Sequence, residues 1–180
     1  VGQTHKISRI HLRKTDLNKS LFKMNYKSWK NDGSPLDKLK VGMRYQIKAD
    51  IATCFHSIYT HSICWALVGK EESKKLPHDK WFDEIDKATR NMSHNETHGI
   101  LIGPHSSNLI VEIILTAIDK TLYDMGYKFV RHIDDYTCLA ENYEKAQQFI
   151  LDLSNELSNY KLMLNSRKCT IEELPTLNSE

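Results

Sequence analysis

The sequence predicts an α+β domain of the split β-α-β, ferredoxin-like type with additional helices. Three observations carry this. Residues 44–51 alternate apolar and polar with the period of a strand, residues 127–140 form two β-rich runs around an acidic tip, and the segments after each carry apolar residues at helical spacing.

Taken in order, residues 1–43 have weak periodicity, many lysines, and turn formers clustered at Asn31, Asp32, Gly33, Ser34 and Pro35, so a partly ordered basic lead-in is expected. From Arg44 to Ile51, Tyr45, Ile47, Ala49 and Ile51 share one face while Arg44, Gln46, Lys48 and Asp50 share the other, which is a strand with Asp50 near its end. A helix is expected from about Thr60, as N-cap, through Ile63, Ala66 and Leu67 to a stop at Gly69. A second runs from about Pro77 to Met92 with Trp81, Phe82, Ile85 and Ala88 as its buried stripe. The clearest helix follows Gly103 and Pro104, takes Ser106 or Ser107 near its cap, carries Leu109, Ile110, Ile113, Ile114, Ala117, Ile118 and Leu122, and ends before Gly126. Tyr127–Ile133 and Tyr136–Ala140 then read as a hairpin whose two-residue tip is Asp134-Asp135. A helix from Tyr143 to Leu157, with Ala146, Phe149, Ile150 and Leu153 inward, and a last strand or hairpin over Lys161–Glu172 complete the pattern, leaving 176–180 as a tail.

With 180 residues, 40% of them hydrophobic, the chain can bury one core. No run approaches the roughly 20 apolar residues of a membrane span, and the N-terminal residues lack the apolar stretch of a secretory signal, so a cytoplasmic protein with no membrane partner is expected. Cys54, Cys64, Cys138 and Cys169 lie in apolar segments without C-x-x-C spacing, as reduced, packed thiols do. The net charge of +2 conceals an asymmetry: residues 1–48 hold 12 Lys or Arg against 3 Asp, a charge of +9, which leaves −7 for the rest. A basic segment ahead of an acidic body suits a protein that meets a phosphate backbone with one part and divalent cations with another. The oligomeric state is left open.

In a split β-α-β domain the first and third strands are central, antiparallel neighbours, so the end of one lies beside the start of the other. Asp50 is then expected to face the Asp134-Asp135 tip, although 84 positions separate Asp50 from Asp134. Clustered carboxylates raise one another's pKa unless a cation compensates. Magnesium is the expected one, with manganese the alternative, because it takes hard oxygen ligands and keeps waters and substrate phosphates in its shell. Two such ions support in-line displacement at phosphorus, which is nucleotidyl transfer.

Four segments in order resemble the catalytic motifs of reverse transcriptases. Lys48-Ala-Asp-Ile-Ala-Thr-Cys-Phe55 is similar to the first, in which an aspartate ends a strand and an aromatic follows five positions later. Thr97-His-Gly-Ile-Leu-Ile-Gly-Pro-His-Ser-Ser-Asn108 resembles the second, a glycine-bearing loop entering a long helix; Arg131-His-Ile-Asp-Asp-Tyr136 the third; and Leu164-Asn-Ser-Arg-Lys168 the fourth. The resemblance covers about residues 44–175 and implies a polymerase palm, with RNA template, DNA primer and dNTPs as partners. It implies Asp50 and Asp134 as principal metal ligands, Asp135 as a neighbouring carboxylate and the Ile51 carbonyl as a further ligand. Phe55 would be the steric gate that excludes a 2′-hydroxyl, Gly99 and Gly103 would permit close backbone approach, Ser107 and Asn108 would either face the template or merely cap the helix, and Lys168 would lie near the triphosphate.

Ser57-Ile-Tyr-Thr-His-Ser-Ile63, with Trp65-Ala-Leu67 and Gly69-Lys70, resembles most the bacterial defence-associated and abortive-infection branch, with retron and group II intron enzymes further away. Two departures from the family pattern stand out: His132 where a tyrosine is common, and His98 where many relatives have glutamine. Little precedes the first motif and almost nothing follows the fourth, so the expectation is a palm at 44–175 without a thumb, residues 1–43 being a remnant of fingers, or else a fragment. The rivals are a template-independent polymerase of the abortive-infection type, a non-catalytic nucleic-acid-binding palm, and an interaction module with zinc on Cys54, His56, His61 and Cys64.

Overall fold

The computed structural model describes residues 7, 8, 10–14, 22–26, 36, 39–75 and 80–175. The predicted turn cluster at 31–35, the predicted helix start at Pro77 and the tail at 176–180 lie outside them. In chain order the elements are β1 (Ile10–Lys14), β2 (Phe22–Tyr26), β3 (Tyr45–Asp50), α1 (Cys54–Ser57), α2 (Ser62–Val68), α3 (Lys70–Lys75), α4 (Trp81–Met92), α5 (His105–Asp124), β4 (Lys128–His132), β5 (Asp135–Ala140), α6 (Tyr143–Asn159) and β6 (Thr170–Glu173).

Four strands form one antiparallel sheet in the order β4-β5-β3-β6, which is the predicted split β-α-β topology with β3 and β5 at the centre. The alternation in β3 explains its place: Ile47 and Ala49 are buried while Lys48 between them is exposed. Helix α6 packs on β3 and β5, and α5 packs on α6. Ile47, Ile114, Leu115, Ile118, Leu122, Phe149 and Leu153 are fully buried between these layers, each such side chain contributing about 1.5–3 kcal/mol of transfer free energy. Helix α6 starts where Asn142 accepts the Lys145 backbone N–H at 2.8 Å, a cap worth about 1 kcal/mol.

The segment read as a lead-in contains a second, two-stranded antiparallel sheet of β1 and β2. Ile7 joins the main core, and its carbonyl accepts the Arg131 N–H at 3.0 Å, so this part of the chain touches the outer edge of β4.

Four expectations need correction. Helix α2 is preceded by His61 rather than capped by Thr60. Helix α4 buries Phe82, Asp86 and Thr89, with Ile85 partly covered, while Trp81 and Ala88 are exposed. It is rotated because Asp86 turns inward, where it receives His61 Nδ1 at 2.7 Å and neighbours Arg90 at 3.5 Å, and apolar periodicity does not register an inward-facing carboxylate. The tip of the β4–β5 hairpin is Ile133-Asp134, since Asp135 already pairs with His132 as the first residue of β5. The short helices α1 and α3 were not foreseen, and the last strand expected within Lys161–Glu172 is the shorter β6, preceded by an isolated bridge from Leu164 to Ile51. Among the described residues no helix is long and apolar enough to cross a membrane.

Candidate functional site

Asp50 is the last residue of β3, and its partner across the sheet is Asp135, the first residue of β5. Asp134 stands one residue earlier, in the turn, and its carbonyl accepts the Ile51 N–H at 3.3 Å. The sheet therefore brings the three predicted aspartates to one end of its two central strands.

The loop before β6 closes over Asp50. Lys168 Nζ lies 3.1 Å from Asp50 Oδ1, and Asn165 Nδ2 donates to Oδ2 at 3.1 Å. The Asn165 backbone N–H donates to the Asp50 carbonyl at 2.8 Å, so this loop grips both the side chain and the main chain of the aspartate. Asn165 was quoted in the fourth motif without a role; its signal in the sequence is its place three residues before Lys168.

A cavity of about 320 Å³ opens here, lined among others by Asp50, Ile51, Phe55, Asp134, Asn165 and Lys168. A second recess of about 360 Å³ lies beside it, with Lys48, Asp50, Asp135, Thr137 and Lys168 on its walls. Gly99 supports the first from behind: its N–H donates to the Ile58 carbonyl at 2.8 Å, and the next residue, Ile100, donates to the Phe55 carbonyl at 2.9 Å. Gly103 has a φ of +115° and leads through Pro104 into α5. Ser107, buried in the first turn, and Asn108 line neither recess.

The electrostatics follow from this crowding. Burial is the main cause pushing the Asp134 carboxyl above the ordinary range; the charge of Asp50 adds to it, and Lys168 and His132 oppose it. Asp135 is pushed up by burial, then by Asp134 and Asp50, against Lys168. Lys168 is pushed up in turn, first by its hydrogen bond to Asp50 and then by that residue's charge. One lysine facing three carboxylates leaves the cluster with excess negative charge.

Among the described residues no group of three or more His, Cys, Asp or Glu side chains is placed so that it could hold a metal ion. The donor set nevertheless fits magnesium, which usually takes one or two carboxylates together with waters and substrate phosphates rather than an all-protein cage. The same finding leaves the Cys54, His56, His61 and Cys64 set without a zinc geometry: Cys54 and Cys64 are buried free thiols, and His61 is engaged by Asp86.

A buried ionic cluster behind the hairpin was also missed. Arg131, Glu112, Asp119 and Tyr136 are bonded to one another beneath the turn. Its sequence signal was two acidic residues seven positions apart on the apolar face of the longest helix, where an inward carboxylate needs a buried partner.

The family model for reverse transcriptase (RNA-dependent DNA polymerase) matches residues 7–176, a span that includes β1 and β2. Among solved structures the chain is similar to telomerase from Candida albicans in complex with a TWJ fragment of telomeric RNA, with a TM-score of 0.54 and 15% identity over 78% of this chain and 29% of that one. Apo telomerase from Candida tropicalis gives a TM-score of 0.52 and 16% identity over 74% and 29% of the two chains. A form of that protein truncated from its C-terminal domain gives 0.51 and 16% over 83% and 33%. At these identities the likeness is one of fold, and the chain spans about a third of the telomerase chains it matches. The curated proteins gave no match.

Proposed function

The chain belongs to the reverse transcriptase family, and from that premise we propose that it is the palm of an RNA-directed DNA polymerase, adding dNTPs to a DNA 3′ end on an RNA template. The observation that carries this is the pairing of Asp50 with Asp135 across the central strands, with Asp134 one residue away in the turn and an open cavity in front. In this reading the palm occupies residues 44–175.

Asp50, Asp134, Asp135 and the Ile51 carbonyl would hold two magnesium ions. When bound, these supply charge neutralisation and activation of the attacking 3′ oxygen. The residues of the chain do the rest. The Asp50–Asp135 register sets the spacing of the carboxylates, and Asn165 orients the Asp50 carboxylate. Phe55, its carbonyl tied to Ile100, presents its ring beneath the sugar and excludes a 2′-hydroxyl. Lys168, now on Asp50 and exposed at the surface, would meet a triphosphate and stabilise the departing pyrophosphate.

The finer assignment is to bacterial antiphage defence. It is supported by the likeness of Ser57–Ile63, Trp65–Leu67 and Gly69-Lys70 to the defence-associated and abortive-infection branch, which also keeps a template-independent polymerase as the second reading.

The test is radiolabelled dNTP incorporation by the full-length protein and by Asp134→Ala, with and without added RNA template and primer. Magnesium-dependent synthesis that is lost in Asp134→Ala supports the polymerase. Its template requirement decides between templated and untemplated extension. Absence of synthesis from folded full-length protein under every condition would leave a nucleic-acid-binding palm.

A further inference from the structure

Helix α5 buries two carboxylates, Glu112 and Asp119, two turns apart in its otherwise apolar core. Between them sits Arg131 of β4, completely buried. Its Nε donates to Asp119 at 3.0 Å, and its Nη2 donates to Asp119 at 2.7 Å and to Glu112 at 3.2 Å. Its Nη1 donates to Glu112 at 2.6 Å and to the carbonyl of Ile133 at 2.8 Å. A guanidinium has five N–H bonds, and here each has an acceptor. The Tyr136 hydroxyl adds a bond to Asp119 at 3.1 Å. Ile133 and Tyr136 are the residues on either side of Asp134-Asp135, so both flanks of the acidic pair are tied to α5 through one cluster.

Stability is a poor reason for such a cluster, because well-packed apolar side chains of similar volume generally do as well or better. The turn supplies a better one. Ile133 has a φ of +57°, a left-handed conformation that a β-branched residue rarely holds without an anchor. The anchor is the Arg131 bond to its carbonyl.

We propose that Arg131, clamped by Glu112 and Asp119, is a positioning residue that fixes the Ile133-Asp134 turn and makes the placement of the Asp134 carboxylate follow the placement of helix α5. This rests on the reading of Asp50 and Asp134 as metal ligands. The start of α5 adjoins the loop whose Ile102 lines the cavity, so a nucleotide pressing on that loop is communicated to Asp134 through a rigid helix and one guanidinium.

The test uses full-length protein in three forms: wild type, Arg131→Lys, and a triple variant with Arg131→Met, Glu112→Leu and Asp119→Leu. Mn2+ binding is measured by calorimetry without nucleotide, alongside thermal melting and steady-state incorporation. The triple variant is expected to melt no lower than wild type while its Mn2+ affinity falls about 10- to 100-fold, as when an outer support of a metal ligand is removed. Its kcat is expected to fall about 100-fold with KM for dNTP little changed, the loss that goes with misplacing a reacting group by about an ångström.

Arg131→Lys retains the charge but has three donors for five acceptors, and it is expected to show the same weakened Mn2+ binding; it decides the matter if the triple variant does not fold. Wild-type Mn2+ affinity in a folded variant overturns the proposal. Absence of Mn2+ binding by wild type overturns the assignment of the carboxylates themselves, and the positioning role with it.

Discussion

Gly99→Ala places one methyl group at the most crowded of the described glycines. Gly99 has a φ of +83°, and a Cβ there would lie 3.3 Å from the backbone oxygen of His56. Holding an L-residue in the left-handed region costs about 1–2 kcal/mol, and the contact adds a shift of a few tenths of an ångström in whichever segment yields. The glycine segment is pinned by its bonds to Ile58 and Phe55, at 2.8 and 2.9 Å, so the shift goes into α1 at His56 and its neighbour Phe55. For a domain of this size about 1 kcal/mol moves Tm by about 2–4 °C, so the variant should melt about 2–8 °C lower. Displacing Phe55 should also weaken discrimination against ribonucleotides. The assay is thermal melting by circular dichroism together with competitive dGTP and GTP incorporation by the full-length enzyme. An unchanged Tm would refute the crowding at His56, and a lowered Tm with intact discrimination would refute the role given to Phe55.

Asn165→Ala removes the 3.1 Å bond to Asp50 Oδ2 but leaves the backbone bond to the Asp50 carbonyl, so stability should fall by only about 1 kcal/mol while metal-dependent activity falls about tenfold or more, as urea denaturation and a magnesium titration will show. Phe149→Ala opens the core under the sheet, where the ring is fully buried between Tyr127 and Phe129, and should cost about 3–5 kcal/mol in urea denaturation. Burial pushes the Cys138 thiol up to about 12. Reaction needs the thiolate, so at pH 8 iodoacetamide should label the partly exposed Cys169 first and reach Cys138 only on unfolding, as peptide mass spectrometry will record. The sign of the linkage is that stability contributed by Cys138 is complete below the ordinary thiol value of 9.0 and declines as pH rises toward about 12, a decline that Cys138→Ala should reduce.

The sheet and the convergence of the aspartates were legible because they depend on patterns the chain states locally. Alternation marks β3, β-branched and aromatic runs mark β4 and β5, and the order of elements determines which strands are neighbours. The position of the hairpin tip was not legible. Acidic residues suit turns, so Asp134-Asp135 read as the tip, whereas the turn takes Ile133, a residue that local preference argues against and that the Arg131 bond holds in place. The rotation of α4 was hidden for a related reason: Asp86 is inside because His61 comes to it from the turn before α2, and a partner from another segment leaves no mark on a helix's own apolar period. Asn165 and the Glu112–Asp119 pair were visible as residues but not as partners, since what each one meets is more than ten positions away.

The pairing of β3 also has a consequence in time. Tyr45 pairs with Ala140, 95 positions on, and with Glu173, 128 positions on, so the central strand is made long before either neighbour. Closing loops of this length is entropically costly and slow, and rates fall as contacting residues move apart in sequence. Until β5 and β6 arrive, β3 presents two open edges and an apolar face, the state in which strands pair with the wrong partner. The carboxylate cluster therefore forms no earlier than the β3–β5 pairing, and substitutions that delay that pairing are expected to appear as aggregated protein rather than as a slower enzyme.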